Sequence, residues 1–120
     1  MIKTLLVVED IPGIQEAVKE TFADTNIHIL TAFNGQEALD ILNETSTIDL
    51  ILLDYQMPVM DGVQFLKERA LNAAFMKVPV LMCSSYDQAD PVFDRVKQNN
   101  WVIGFLRKPF LFHDIQPYLS

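Results

Sequence analysis

Short apolar runs alternate with stretches of helical periodicity along the whole chain, and this alternation constrains the fold more than any other feature. Five runs rich in branched and aromatic residues are predicted as strands, at about residues 5–8, 27–30, 48–53, 78–83 and 101–107. The stretches between them repeat apolar residues at helical spacing, as Ile14, Ala17, Val18 and Phe22 do. Strand–helix alternation with right-handed crossovers favours an α/β fold. We predict a flavodoxin-like, doubly wound five-stranded parallel sheet of order 2-1-3-4-5 with helices on both faces.

Several turn and capping residues predict where the helices begin. Asn34-Gly35 precedes the second helix, and Asp61 is the expected N-cap of a third helix that continues to Leu71. Asp90-Pro91 has the pattern of an N-cap followed by proline at the first helical position of a fourth helix. Its apolar side would be formed by Val92, Phe93 and Val96. The last helix is expected near His113 or Asp114, with Pro117 inside its first turn.

Size, composition and charge limit the class of protein. A chain of 120 residues, half of them hydrophobic, is expected to form one domain over 1–120 with a real core. The net charge of −7 disfavours direct binding to nucleic acid or to anionic lipid. No apolar run is long enough to span a membrane or to serve as an export signal, and the single cysteine, Cys83, excludes an internal disulfide. A cytoplasmic protein is the expectation.

Polar side chains follow four of the five predicted strands at the point where each strand ends. Glu9-Asp10 follows the first, Asp54 the third, Ser84 the fourth and Lys108 the fifth. In an open α/β sheet, ligands bind beyond the carboxyl ends of the strands, at the switch in strand order. Strands 1 and 3 are neighbours there in the predicted order, so three carboxylates are expected to lie together beside a hydroxyl and an ammonium.

Three carboxylates in one crevice repel one another unless a cation compensates their charge. An oxygen-rich site without imidazole suits Mg²⁺, with Mn²⁺ as the alternative. A carboxylate such as Asp54 can also accept a phosphoryl group covalently. Taken singly, each residue has an ordinary explanation as a cap, a loop residue or a surface charge, so the prediction depends on their coincidence at four strand ends.

The same residues resemble the receiver domain family of bacterial two-component response regulators. The resemblance covers essentially the whole chain, and its most specific part is the run Asp-x-x-Met-Pro-x-Met-Asp-Gly over 54–62 after an apolar strand. The other matching elements are Glu9-Asp10, Asn34-Gly35, Ser84 and Lys108-Pro109.

The resemblance implies a role for each matching position. Asp54 would be the phosphoacceptor and, with Asp10 and the backbone carbonyl of Gln56, a direct ligand of Mg²⁺. Glu9 would hold the metal through water. Lys108 would pair with Asp54 and then with the phosphoryl group, and its peptide bond to Pro109 would be cis.

The resemblance also implies a switch and a set of partners. Ser84 would follow the phosphoryl group, and Phe105 would occupy the aromatic switch position in the fifth strand, so that the face of the fourth helix, fifth strand and fifth helix changes. Gln56 and Tyr86 would tune hydrolysis of the phosphorylated form. The donor would be a phosphohistidine on a sensor histidine kinase or phosphotransfer protein. The output would be a downstream protein or an attached output domain, and the sequence leaves that choice open.

Two positions depart from the family pattern. Phe105 lacks the hydroxyl of the commoner tyrosine, so any switch would act through ring packing alone. Trp101 stands in the segment 99–102 where the family often has glycine and alanine, and it has two equally weighted interpretations: cover over the core, or part of a partner surface.

Three other functions compete with this interpretation. A phosphohydrolase of the haloacid dehalogenase type would need a second aspartate two residues after Asp54, where this chain has Gln56. A flavodoxin-like nucleotide binder would need a phosphate loop after the first strand, where Glu9-Asp10 would repel phosphate. A plain interaction module without phosphorylation is the third. The remaining candidates are expected to be structural or surface residues: Cys83, His28, His113, Met57 and Met60.

Overall fold

The computed structural model describes residues 2–84, 94, 96 and 102–119. Five parallel strands form one sheet in the order β2-β1-β3-β4-β5, as predicted. Their bounds are Thr4–Val8 (β1), His28–Ala32 (β2), Leu50–Asp54 (β3), Val80–Ser84 (β4) and Gly104–Arg107 (β5).

The strands at the centre of the sheet are the most deeply buried. Every residue of β3 and β4 is buried, whereas β2, at one edge, buries only Ala32 fully. Neighbours on both sides and helices on both faces remove water from a central parallel strand, so its sequence is almost continuously apolar. This explains why Asp54, the last residue of β3, is only 4% exposed although it is charged.

Three helices follow the first three strands: Pro12–Thr21 (α1), Gly35–Glu44 (α2) and Gly62–Arg69 (α3). Asn34 caps α2 by accepting from the Glu37 amide, and Asp61 caps α3 in a capping box with Gln64, as its position predicted. After α3, one turn of 3₁₀ helix at Phe75–Lys77 leads into β4.

The C-terminal helix, Phe112–Ile115, begins one or two residues before the predicted start. The Asp114 carboxylate accepts from the Leu111 amide at 2.7 Å, so Asp114 stabilises the first turn from inside the helix instead of preceding it. The placement of Pro117 in the first turn of this helix was wrong. Pro117 lies in the following 3₁₀ turn, Gln116–Tyr118, where a missing amide proton is equally tolerated.

The sheet is covered on both faces, as predicted. One apolar cluster joins the sheet to α2 and α3 through Ala38, Leu42, Phe65 and Leu66. The other joins the opposite face to α1 and the C-terminal segment. Val96, a predicted core residue of the fourth helix, is helical and buried, but most of that helix and Trp101 lie outside the described residues.

Two residues assigned to apolar helix faces do not face the core. Ala17 is exposed and lies on the wall of a groove beside α1. Leu71 is 83% exposed because α3 ends at Arg69, which takes Leu71 off the inward-facing stripe.

Candidate functional site

The strand ends bring the predicted site residues to one edge of the sheet. Asp54 and Ser84 are the last residues of β3 and β4, and Glu9-Asp10 and Lys108 directly follow β1 and β5. All five strands are parallel, so these carboxyl ends share an edge. The pairing of Val8 with Leu53 and of Asp54 with Cys83 sets the level at which the polar side chains emerge.

Three carboxylates form a compact cluster at this edge. Glu9, Asp10 and Asp54 each offer an oxygen atom, and these oxygens lie within 4.8 Å of one another. Glu9 is 2% exposed and Asp54 4%, whereas Asp10 is half-buried. Anionic oxygens at this spacing without imidazole or thiolate match the ligand preference of a hard divalent cation such as Mg²⁺.

Lys108 binds two of the three carboxylates. Its Nζ lies 2.8 Å from Oδ1 of Asp54 and 3.0 Å from both carboxylate oxygens of Glu9. The ammonium therefore neutralises part of the buried negative charge and holds Glu9 and Asp54 at a fixed separation. The predicted contact between Lys108 and Asp54 exists, and the peptide bond from Lys108 to Pro109 is cis, as expected.

Burial and the neighbouring charges shift the pKa values of Glu9 and Lys108. Desolvation, together with the neighbouring Asp54 carboxylate, raises the pKa of Glu9 to about 8 despite the opposing effect of Lys108. Burial alone would lower the pKa of Lys108, but its hydrogen bonds to Asp54 and Glu9 outweigh burial and raise it. In the absence of a cation, the cluster thus tends to keep a proton on Glu9.

This shift predicts a pH dependence for the metal-free protein. The pKa of Glu9 is higher in the folded than in the unfolded protein, so protonated Glu9 favours the folded state. This contribution is fully present below about pH 4.5 and is lost as the pH rises toward 8. We expect the free energy of unfolding in chelator to fall between pH 5 and pH 8 by at least about 1 kcal/mol, since one unit of pKa difference corresponds to about 1.4 kcal/mol. The lowered pKa of Asp49 and the raised pKa of Lys108 act outside this window.

Denaturant unfolding at several pH values checks this expectation. Glu9→Gln should flatten the slope, whereas Glu16→Gln, at an exposed position of α1, should keep it. An unchanged slope in Glu9→Gln would assign the pH dependence to other groups.

The loop that follows β3 runs beside the acidic cluster. The Gly62 amide donates to the Tyr55 carbonyl at 2.9 Å, and a β-carbon at Gly62 would lie 2.7 Å from the Asp54 carbonyl oxygen. Only glycine allows α3 to begin this close to β3. Gln56 lines a cleft of about 410 Å³ together with Asp10 and Asp61, which brings the predicted third metal ligand beside the cluster.

Val59 is the strained residue of this loop. Its φ of 68° is unusual for a β-branched residue, and the Met60 amide donates to the Pro58 carbonyl at 2.7 Å across it. Val59 is 81% exposed, so core packing does not explain why a valine occupies this position. Met57 and Met60, in contrast, pack against the core, as expected of structural residues.

A larger groove of about 640 Å³ opens onto the same edge. Its polar end is lined by Asp10, Asp54, Gln56, Ser84 and Lys108, and its apolar walls come from α1 and from Pro109-Phe110. The groove gives a reactant access to Asp54 although that residue is almost fully buried.

Of the predicted switch residue Phe105 and the predicted tuning residue Tyr86, the structure describes only Phe105. Phe105 lies in β5 opposite Met82, half-buried, and packs against the core cluster that contains α2 and α3. Tyr86 lies outside the described residues. Of the residues expected to be structural or on the surface, Cys83 is buried and burial raises the pKa of its thiol. His28 and His113 are exposed, and His113 lies 3.2 Å from Asp114.

Sequence reasoning missed Gln15. This residue is buried on α1, and its side chain donates to the carbonyls of Glu9 and Ala32, next to the acidic cluster. A signal was present: Gln15, Val18 and Phe22 follow one another at intervals of a helical stripe, so a polar residue occupies a core-facing position.

Fold and site together define a class of protein: an α/β domain with a buried, lysine-paired aspartate at an acidic edge of the sheet. The family model for the response regulator receiver domain matches residues 5–119, and the chain belongs to that family. The family comprises regulatory phosphoacceptor domains of two-component systems, phosphorylated by histidine kinases or phosphotransfer proteins, and not classical enzymes. Its members bind Mg²⁺ at an acidic pocket.

Individual relatives agree with this membership. The chain is 32% identical over 107 residues to the probable transcriptional regulator ycf29 of Pyropia yezoensis, covering 88% of this chain and 46% of that protein. It is 32% identical to sporulation initiation phosphotransferase F of Bacillus subtilis, covering 97% of this chain and 90% of that protein. Chemotaxis protein CheY4 of Vibrio cholerae, crystallized at pH 4.0, is 28% identical in sequence. Its structure matches with a TM-score of 0.85 over 99% of this chain and 97% of that chain.

The chain thus spans about half the length of some of the curated relatives it matches. Among residues 2–84, 94, 96 and 102–119, no helix has the length and apolar character needed to cross a membrane.

Proposed function

We propose that this chain is a Mg²⁺-dependent phosphoaspartate switch whose phosphoacceptor is Asp54. One observation carries the proposal: the buried carboxylate of Asp54 ends the central strand β3 with Oδ1 2.8 Å from the Lys108 ammonium, inside a cluster of three carboxylates. A structural ion pair alone would not require two further acidic side chains at the same point. A site for a cation and a dianionic phosphoryl group accounts for all four residues.

Asp10, Asp54 and the Gln56 carbonyl are the proposed direct ligands of the cation, with Glu9 acting through water. The donor set fits, because the three side chains supply only oxygens and already lie within 4.8 Å. Mg²⁺ is the proposed ion and Mn²⁺ the alternative. When bound, the ion would offset the charge of the carboxylates and of the incoming phosphoryl group.

Transfer of the phosphoryl group needs little chemistry from the protein beyond positioning and charge neutralisation. A carboxylate oxygen of Asp54 forms a bond to phosphorus as the N–P bond of the donor phosphohistidine breaks, and the imidazole keeps the electron pair of that bond. Lys108, already bound to Asp54, is placed to pair with the phosphoryl oxygens. Ser84, at the end of the neighbouring strand β4, is proposed to donate its hydroxyl to the same group.

The proposed signal is a change of the face formed by the fourth helix, β5 and the C-terminal helix. Movement of Ser84 toward the phosphoryl group would alter the packing beside Phe105, which lies on the adjacent strand. Packed elements of this kind switch between discrete arrangements. Gln56 and Tyr86 are proposed to flank the approach of the hydrolytic water and so to set the lifetime of the phosphorylated form.

The proposed partners are a sensor histidine kinase or phosphotransfer protein as donor, and a downstream protein or attached output domain as recipient of the signal. The net charge of −7 argues against direct contact with nucleic acid or an anionic membrane surface. A cytoplasmic location is proposed, since a single cysteine suits a reducing compartment.

The cation dependence of phosphorylation tests this proposal. The protein is incubated with phosphoramidate in Mg²⁺, in Mn²⁺ and in chelator, and its intact mass is followed with time. We expect addition of a single phosphoryl group in Mg²⁺ and no addition in chelator. Equal incorporation in chelator would contradict the metal site, and no incorporation under any condition would contradict the switch.

A further inference from the structure

Gln15 is a polar side chain that the proposed chemistry does not use, yet it is only 3% exposed. It lies one turn into α1, on the side of the helix that faces the sheet together with Val18. A buried carboxamide is costly unless its donors are satisfied. Here both donated hydrogen bonds go to backbone carbonyls at the ends of β1 and β2, and β1 is one of the strands that carry the site.

The two hydrogen bonds join α1 to the carboxyl ends of the paired strands β1 and β2. Nε2 of Gln15 donates to the Glu9 carbonyl at 2.8 Å and to the Ala32 carbonyl at 2.9 Å. The Ala32 carbonyl also accepts from the Glu9 amide at 3.0 Å. Since β1 ends at Val8 and β2 at Ala32, Glu9 lies just beyond the last paired residues, and Gln15 and Ala32 together hold both of its backbone polar groups.

We propose that Gln15 is a positioning residue for the acidic cluster. The carbonyl that it binds belongs to the peptide unit joining Glu9 to Asp10, and these are two of the three carboxylates of the cluster. A cation gains most from ligands that are already fixed in place, and partners one shell out typically contribute 10–100-fold to affinity. This inference rests on the proposed metal site.

The chemistry of glutamine suits this role. One NH₂ group supplies two donors to two carbonyls and adds no charge. A lysine or arginine could also donate, but its positive charge would compete with the cation for the carboxylates. A methionine would have a similar length and no donor. The pair Gln15→Met and Val18→Ala therefore separates loss of the donors from loss of packing on the same helix.

Titration with Mg²⁺ alone tests the inference, followed by the backbone amide shifts of residues around Asp54. We expect Gln15→Met to raise the Kd for Mg²⁺ about tenfold or more. Val18→Ala should lower the melting temperature as well but leave that Kd within about twofold of wild type. In metal-free protein, hydrogen exchange of the Glu9 amide should be about tenfold faster in Gln15→Met than in Val18→Ala, because its partner carbonyl loses a second anchor.

A wild-type Kd in Gln15→Met, with only its melting temperature lowered, would overturn the inference and leave Gln15 a structural residue. If Gln15→Met does not fold, Gln15→Asn replaces it with the same expectations, because the shorter side chain cannot reach both carbonyls. A wild type that shows no response to Mg²⁺ would instead contradict the proposed metal site, so the two failures are distinguishable.

Discussion

Asp54→Asn is expected to abolish phosphorylation by small-molecule donors while leaving the fold intact. Asparagine keeps the shape of the side chain but has no anionic oxygen to attack phosphorus. The neutral amide also removes part of the charge repulsion on Glu9, because Asp54 contributes to the raised pKa of Glu9. Lys108 loses its ion pair with Asp54 but keeps both oxygens of Glu9, so loss of incorporation should occur with little loss of stability.

Asp49→Asn is the matched control for Asp54→Asn. Asp49 directly precedes β3 and Asp54 ends it, so the two aspartates flank opposite ends of one strand. Asp49 accepts from the amides of Lys3 and Thr4, both at 3.0 Å, and these bonds lower its pKa. Asp49→Asn should weaken the fold and still take up the phosphoryl group. Wild-type incorporation by Asp54→Asn, measured by intact mass, would exclude Asp54 as the acceptor.

Lys108→Met is expected to lower the free energy of unfolding of the metal-free protein by about 3 kcal/mol at pH 8. Methionine preserves the apolar stem but removes the ammonium that binds Asp54 and both oxygens of Glu9. Breaking one side of a buried ion pair costs about 3–5 kcal/mol because a charge stays buried without a partner. The lower end applies here, since Glu9 can take up a proton instead.

The effect of Lys108→Met should therefore depend on pH and on the cation. At pH 5 Glu9 holds its proton and the loss should be smaller, and saturating Mg²⁺ should restore part of the loss at pH 8. Lys67→Ala, at an exposed position of α3, should stay within about 0.5 kcal/mol of wild type. Equal losses at pH 5 and pH 8 would show that the contribution of Lys108 does not depend on the ionisation of Glu9.

Local patterns in the sequence predicted the architecture because the three inner strands, β1, β3 and β4, are apolar runs that end at or directly before a polar residue. Leu50–Asp54 shows this most clearly, since all five residues are buried and the charged residue comes last. The same patterns predicted Asp61 as the N-cap of α3 and a turn at Asn34-Gly35, where α2 begins, because turns and caps depend on residues only a few positions apart.

Local sequence patterns did not predict burial where it depends on contacts with residues outside the same helix. Arg69 is charged yet buried, because its guanidinium donates to the carbonyls of Phe75 and Val78 in the turn before β4. Nothing within α3 predicts that turn. Ala17 has the right spacing for a core residue, but it is exposed on the wall of an open groove.

The candidate site was predictable in membership but not in its internal contacts. Strand order alone brings Glu9, Asp54 and Lys108 to one edge. The Lys108 ammonium binds both carboxylate oxygens of Glu9, 99 positions away in the sequence. This contact depends on the depth at which each side chain leaves the sheet, which the sequence does not show. The support of Glu9 by Gln15 was missed for the same reason, because it joins a helix to the ends of two strands.

The chemical location of the phosphoryl group shows whether Asp54 is the phosphoacceptor. Protein treated with phosphoramidate and Mg²⁺ is reduced with borohydride, which converts an aspartyl phosphate to homoserine, and is then digested and sequenced by mass spectrometry. We expect homoserine at position 54 in the Mg²⁺ sample and unmodified Asp54 in the sample kept in chelator. Homoserine at Asp10, Asp61 or any other acidic position, with Asp54 intact, would contradict this assignment.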